Sequence, residues 1–262
     1  MIDINIDNAL KDNQFVLYYQ PQVFSRTNQI IAVEALIRVK KDSEVILPNS
    51  FIPDAEKSGD IVKIDKWVFK KIAEDAEKLH KITNKKITLS FNVSALHFQD
   101  KNIVKDLENL AKTSRNFLQN LEIEITENSL LIDIDKAKDD IAYLKKIGYK
   151  ISIDDFGTGY GSFAYIHNFP IDNIKFDKSF VDDICGENKK SLTILQSLIF
   201  LCARLKIKLI VEGVETIDQI NVLKKLGCYN VQGFYFAKPM PLEEVVKYLT
   251  TSFWSAKAQN CY

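Results

Sequence analysis

The sequence is poor in residues that staple, break or anchor a chain. Its four cysteines (Cys185, Cys202, Cys228 and Cys261) are scattered, with no C-x-x-C pair. Neither a disulfide framework nor a zinc site is expected, and a reducing, cytoplasmic setting is. Nine glycines and six prolines in 262 residues are too few for a disordered or linker-rich chain. No sign of charge is in surplus, since 35 Lys+Arg balance 35 Asp+Glu. A protein that neutralises a phosphate backbone is normally basic, so no nucleic-acid polymer is the expected partner. No apolar run approaches the ~20 residues of a bilayer-spanning helix and no secretory leader is evident, so no membrane insertion is expected. What remains is an ordinary globular composition, long enough for one large domain or two small ones.

Short apolar runs alternate with longer amphipathic stretches. Strands are predicted near 15–20, 30–38, 87–93, 121–126, 150–154, 172–176, 207–212 and 228–232. Helices are predicted near 60–80, 101–116, 129–147, 187–205, 216–226 and 241–249. Ile61, Ile64, Val68 and Ile72 give the first its apolar stripe, and Trp67 is expected to pack beside it. Gly148 and Gly227 stand where helices should stop. Eight strands mostly followed by helices suggest an α/β fold of the (β/α)8 barrel type, with a doubly wound open sheet as the alternative. The linker between the first two strands is too short for a crossover helix. One of the two should therefore run antiparallel near the N-terminus.

Alternation along the strands gives an unusual result. Leu121, Ile123 and Ile125 share one face, while Glu122 and Glu124 share the other. Ser90 and Asn92, Ser152 and Asp154, Asn173 and Lys175, and Glu34 and Arg38 likewise oppose apolar partners. If the apolar face packs on helices, the polar face points into the barrel, where branched apolar residues are usual. An open sheet with one solvated face is the competing explanation, but parallel sheets are normally covered on both sides. Closure would gather Glu34, Glu124, Asp154, Asp155 and Glu212 at one rim with Asn92 and Lys175. One lysine cannot neutralise five acids, so either their pKa values rise or cations sit among them. Oxygen ligands without converging His or Cys point to Mg²⁺, Mn²⁺ or Ca²⁺. Two such ions, one carboxylate bridging, would suit in-line attack on a phosphodiester.

The chain reads Y-Q-P (19–21), E-A-L-I-R (34–38), F-I-P-D-A-E (51–56), N-V-S (92–94), E-I-T-E (124–127), D-D-F-G-T-G-Y (154–160), I-K-F-D-K-S-F (174–180), V-E-G-V-E (211–215) and Q-G-F-Y-F-A-K-P (232–239). Taken in order, these nine motifs over about 14–249 resemble the EAL-domain family of cyclic di-GMP phosphodiesterases. The resemblance implies a modified barrel with one reversed strand and hydrolysis of cyclic di-GMP to 5′-pGpG with two Mg²⁺ or Mn²⁺ ions, Ca²⁺ being a candidate inhibitory substitute. By the same resemblance Glu34, Asn92, Glu124 and Asp154 look like ligands of one metal, with Asp154 shared. Asp155 and Glu212 look like the second-metal side. Lys175 resembles the lysine that orients the attacking water, and Glu212 the proposed general base. Gln20, Leu36, Arg38 and Gln232 resemble substrate contacts, with Phe51, Pro53 and Phe234 flanking a guanine. The segment Asp155 to Ser162 resembles the loop that couples dimerisation to metal binding, with Glu127 its anchor, although Gly161 replaces a common serine. Val39 replaces a tryptophan common after the E-A-L motif.

A single domain over 1–250 with a tail at 251–262 is expected. A homodimer, and sensory or GGDEF domains in a longer parent protein, are implied partners. Glu122 is expected to pair with a lysine such as Lys208, His97 matches no ligand position, and His80 and His167 read as helix or loop surface. Asp177 and Glu215 are supporting residues or simple structural ones. Two competing functions are an inactive cyclic di-GMP receptor and a glycosidase carboxylate pair.

Overall fold

The computed structural model describes residues 4–83, 87–157, 166–182, 184–186 and 189–250. Lys85–Lys86, the glycine loop beyond Gly157, and the expected tail 251–262 with Cys261 lie outside them. Among the described residues nine strands form one sheet: β1 (Phe15–Phe24), β2 (Gln29–Lys41), β3 (Glu44–Ile46), β4 (Thr88–Val93), β5 (Leu121–Thr126), β6 (Lys150–Phe156), β7 (Asn173–Phe176), β8 (Lys208–Val211) and β9 (Asn230–Gln232). Their order is β1-β9-β8-β7-β6-β5-β4-β2-β3, and pairing of β1 with β2 closes eight of them into a barrel. β1 runs antiparallel to both neighbours. The other barrel pairs are parallel. The reversed strand inferred from the short linker is therefore β1.

β3 was not expected. It forms a hairpin with the end of β2, turning through Asp42 and Ser43 at φ 48° and 71°. Two left-handed residues are what a tight hairpin turn needs, usually announced by Asn-Gly or Asp-Gly; Asp-Ser carries no such signal.

The helices are α1 (Ile6–Lys11), α2 (Ile52–Ser58), α3 (Ile61–Thr83), α4 (Ala95–Gln99), α5 (Ile103–Thr113), α6 (Glu127–Leu131), α7 (Ile134–Ile147), α8 (Lys189–Leu205), α9 (Ile217–Lys225) and α10 (Leu242–Thr250). The helix expected over 129–147 is two, because Asp133 caps a new start by accepting from Lys136 N–H at 3.0 Å. Gly148 and Gly227 do stand at the ends of α7 and α9. None of the described helices is long and apolar enough to cross a membrane.

The apolar strand faces pack outward on this helical coat. Leu121, Ile123 and Ile125 are all buried against it, together with Ile61, Ile64, Val68 and Ile72 of α3. Each such side chain contributes about 1.5–3 kcal/mol. Trp67 is half-buried, its ring 5.6 Å from Phe15. The polar faces then point into the barrel, where Ser90, Glu122, Glu124, Ser152 and Lys175 are almost completely buried.

Candidate active site

Parallel register sets the expected acids at one height. Asn92 of β4 lies opposite Glu124 of β5, and Glu34 of β2 opposite Ser90, one pleat from Asn92. On β6 an extra residue intervenes between Ile153 and Phe156 relative to β7. Asp155 takes φ 52° at this bulge. A bulge re-aims side chains at a barrel rim. Asp154 is buried while the adjacent Asp155 is exposed at the lip. Glu212 follows β8, its N–H donating to Phe176 O at 3.0 Å.

Lys175 stands at the centre. Its Nζ lies 2.8 Å from Glu124 Oε2, 2.8 Å from Glu212 Oε1, 3.1 Å from Asp154 Oδ1 and 3.3 Å from Glu34 Oε2. Only the Glu124 contact is a well-directed hydrogen bond; Asp154 Oδ1 and Glu212 Oε1 are close but poorly aligned with the donor. Burial opposes the ammonium, yet Asp154, Glu124, Glu212 and Glu34 together hold Lys175 well above its ordinary pKa.

One cation does not balance this layer. Burial raises the Glu124 carboxyl well above the carboxylate range, and the Glu34 charge adds to that. Burial pushes Glu212 up to about 8 against the pull of Lys175. Partial desolvation and Asp154 push Asp155 up to about 6. Glu34 moves the other way. Its burial is outweighed by Lys175 and by hydrogen bonds including those from Gln232 and Asn92. Asn92 Nδ2 donates to Glu34 Oε1 at 3.0 Å and Gln232 Nε2 to Glu34 Oε2 at 2.5 Å. Gln232 Nε2 also reaches Gln20 Oε1 at 3.2 Å, and Gln20 Nε2 donates to Ala237 O at 3.1 Å.

This donor set fits a hard divalent cation. Glu34, Glu124 and Asp154 each offer an oxygen within 4.8 Å of the others. Glu124 Oε1 is buried with no hydrogen-bond partner among the described residues. Among the described residues no nitrogen or sulfur ligand joins the group, which is the chemistry of Mg²⁺ and Mn²⁺ sites.

The β7 and β8 loops are locked together. Lys178 Nζ pairs with Glu215 Oε1 at 2.6 Å, and its stem lies against Gly213. A Cβ at Gly213 would fall 2.3 Å from Lys178 Cγ, at a backbone φ of 66°. Gly233 is equally constrained, since a Cβ there would fall 2.0 Å from Val214 O. Gln219 was not singled out from sequence. Its Oε1 accepts from Glu215 and Thr216 N–H at 2.8 and 2.9 Å, and its Nε2 donates to Val181 O at 3.2 Å. The T-x-x-Q capping box at 216–219 was the available signal. Asp177 makes a local bond, accepting from Ser179 N–H at 2.9 Å.

Several other expectations are placed or corrected. Leu36 lines a cavity of about 400 Å³ beside the acids, with Ile37, Pro48, Ile52, Asn92 and Asp155. Arg38 is buried, donates to Ile37 O at 2.7 Å, and lies 5.9 Å from the Tyr18 ring. Pro53 is exposed in the first turn of α2, and Phe234 is exposed beneath the Lys238 ammonium. Phe51 is not available to flank a base: it is buried, with its ring 6.0 Å from Phe15. Glu122 takes Asn173 Nδ2 at 2.5 Å rather than Lys208, which acts on it only through its charge. His97 is not a ligand but is fully buried between Asp65 and Asp106. Glu127 is buried at the start of α6, and its Oε2 accepts from Gly157 N–H at 3.4 Å.

Known proteins are similar to this chain in sequence and fold. The family model described as EAL domain matches residues 4–239. The signaling protein YkoW of Bacillus subtilis is 35% identical over 92% of this chain and 30% of its own length. The cyclic di-GMP phosphodiesterase NbdA of Pseudomonas aeruginosa is 33% identical over 92% of this chain and 31% of its own length. The chain thus spans under a third of the length of these two relatives. Among solved structures, the PaMucR phosphodiesterase in complex with c-di-GMP superposes with a TM-score of 0.85 at 33% identity, covering 92% of this chain and 97% of that one. An EAL domain protein from Listeria monocytogenes gives 0.81 at 31% identity, covering 95% and 98%. With its reversed first strand, its acids ringed about Lys175 and a family match over residues 4–239, the chain belongs to the EAL-domain family.

Proposed function

We propose that this chain hydrolyses cyclic di-GMP to linear 5′-pGpG using two divalent cations, Mg²⁺ or Mn²⁺. The observation that carries the reading is the charge imbalance at the barrel mouth, with four carboxylates against one buried ammonium. Relatives bearing the name cyclic di-GMP phosphodiesterase support the substrate. Glu34, Asn92, Glu124 and Asp154 would hold one ion, and Asp155 and Glu212, with Asp154 between them, the other. When bound, the ions supply Lewis acidity and the counter-charge that lets an anionic phosphodiester approach.

The chain's own groups divide the remaining work. Lys175 stays protonated among the acids, so it donates and orients rather than accepting a proton. Glu212, up at about 8, is the group that can take a proton near neutral pH once the local negative charge is offset. Gln232 and Asn92 hold the Glu34 carboxylate from both oxygens, fixing its direction. Gln20, Leu36, Arg38, Pro53, Gln232 and Phe234 would contact the dinucleotide, the Arg38 fork suiting a phosphate. Residues 1–250 would act as one catalytic unit, as a homodimer, in the cytoplasm. A glycosidase pair is disfavoured, because three acidic side chains with oxygens within 4.8 Å of one another exceed what that chemistry uses.

The test is to incubate the purified chain with cyclic di-GMP in Mg²⁺, in Mn²⁺ and in chelator. Linear product is expected with either ion and none in chelator. A folded protein that binds the dinucleotide in chelator without turnover in either metal is instead a receptor.

A further inference from the structure

Asp65 of α3 lies off the barrel, outside every motif read from the sequence. Its carboxylate is nevertheless buried and turned onto the end of β4. Oδ2 accepts from Ser94 N–H at 3.1 Å and from Ser94 O–H at 2.6 Å. The same oxygen faces His97 Nδ1 at 3.2 Å, and His97 Nε2 faces Asp106 Oδ2 of α5 at 3.2 Å. Phe69 stacks on the imidazole, with centroids 5.5 Å apart. Ser94 is the N-cap of α4, its Oγ also accepting from His97 N–H at 3.3 Å. One carboxylate of α3 therefore gathers the turn between β4 and α4, and α5 closes the arrangement from the other side.

That turn begins two residues after Asn92, which donates to Glu34. Its far side is tied to the next element of the site. Gln99 at the end of α4 donates to Ser129 O of α6 at 2.7 Å, and α6 opens with Glu127. Asp65, Ser94, Asn92 and Asp155 also border the same 400 Å³ cavity. A buried carboxylate accepting several hydrogen bonds from one turn sets that turn's position, and groups supporting metal ligands commonly change ion affinity by about 10–100-fold when removed.

We propose that Asp65 is a positioning residue for the metal site, acting through Ser94 and His97 to fix the β4 turn and so the amide of Asn92. The role rests on the functional reading above. It concerns the binding of ions and the turnover step, not recognition of the dinucleotide.

The experiment is titration of Mn²⁺ alone into the chelator-stripped chain by calorimetry, followed by steady-state kinetics. Asp65→Ala is expected to weaken Mn²⁺ binding about tenfold and to lower kcat, leaving KM for cyclic di-GMP within about twofold. Asp65→Asn keeps an acceptor oxygen and is expected to stay within about threefold of the parent. If Asp65→Ala does not fold, Ser94→Ala, which deletes only the hydroxyl, decides; about threefold weaker Mn²⁺ binding is expected. The role is overturned if folded Asp65→Ala, or Ser94→Ala in its place, binds Mn²⁺ like the parent, or if Asp65→Asn fares as badly as Asp65→Ala. A parent chain that takes up no Mn²⁺ overturns the functional reading itself, and the positioning role with it.

Discussion

Two polar layers are stacked inside one barrel. The lower contains Ser90, Glu122, Ser152 and Asn173; register pairs Ser90 with Glu122 and Ser152 with Asn173. The upper contains Glu34, Asn92, Glu124, Asp154, Glu212 and Lys175. Both are largely buried. In the lower layer a single carboxylate, raised by burial, takes the amide of Asn173, and the charges of Lys208, Lys150 and Lys175 pull it back down. In the upper layer four carboxylates crowd one lysine, and at least two of them titrate above their ordinary range. Buried charge alone therefore does not mark the functional end of this barrel. Charge that the protein itself leaves uncompensated does, because it destabilises the fold unless a ligand offsets it.

Substitutions should break this contrast in a fixed order. Glu34→Ala is expected to abolish hydrolysis below detection while circular dichroism stays unchanged, and near-normal turnover would remove Glu34 from the metal shell. Lys175→Met removes the cation in direct contact with the upper acids. The ion-free protein should lose about 3–5 kcal/mol in denaturant unfolding, with Mn²⁺ restoring part of it. Equal stability with and without the lysine would show that the layer is already neutral.

The same imbalance predicts a pH dependence. Ions must displace protons from Glu212, at about 8, and from Asp155, at about 6, so Mn²⁺ affinity should rise as pH increases from 6 to 8. Stability of the ion-free chain should move oppositely. Glu212 has a folded pKa raised above the unfolded value of about 4.3, so its contribution is complete below that value and is lost as pH rises through the folded pKa. Melting temperatures measured in chelator should accordingly fall between pH 5 and 8, a loss of about 1 kcal/mol appearing as roughly 2–4 °C. Flat curves in both experiments would contradict the assigned imbalance. Glu127→Ala acts one step away, through Gly157, and should reduce activity about tenfold with weaker metal binding. If metal affinity and oligomerisation are both unchanged, Glu127 is not the loop's anchor. Glu122→Gln, in the lower layer, should change turnover by less than about twofold, since the neutral side chain still accepts from Asn173. A large loss there would erase the distinction between the layers.

Alternation made the barrel and its polar interior legible, because a strand's two faces differ in residue type at every second position. The hairpin linker announced the reversed β1. Less was visible where geometry departs from a simple period. The bulge that separates Asp154 from Asp155 depends on a left-handed aspartate, and β3 on an Asp-Ser turn without glycine. Phe51 sits in a motif beside exposed Pro53, but its ring turns inward to Phe15, a rotation that no linear pattern encodes. Glu122 has lysines close in register, yet Asn173 reaches it first. Asp65 and His97 meet through helices α3, α4 and α5, so their joint role could be seen only after folding.

The most direct measurement is stoichiometric calorimetry of Mn²⁺ with the parent and Glu34→Ala proteins at pH 8. The account predicts uptake of about two ions per parent chain with release of protons, and loss of at least one ion in the variant. A parent chain that binds no ion, or a variant that binds as many, would contradict it.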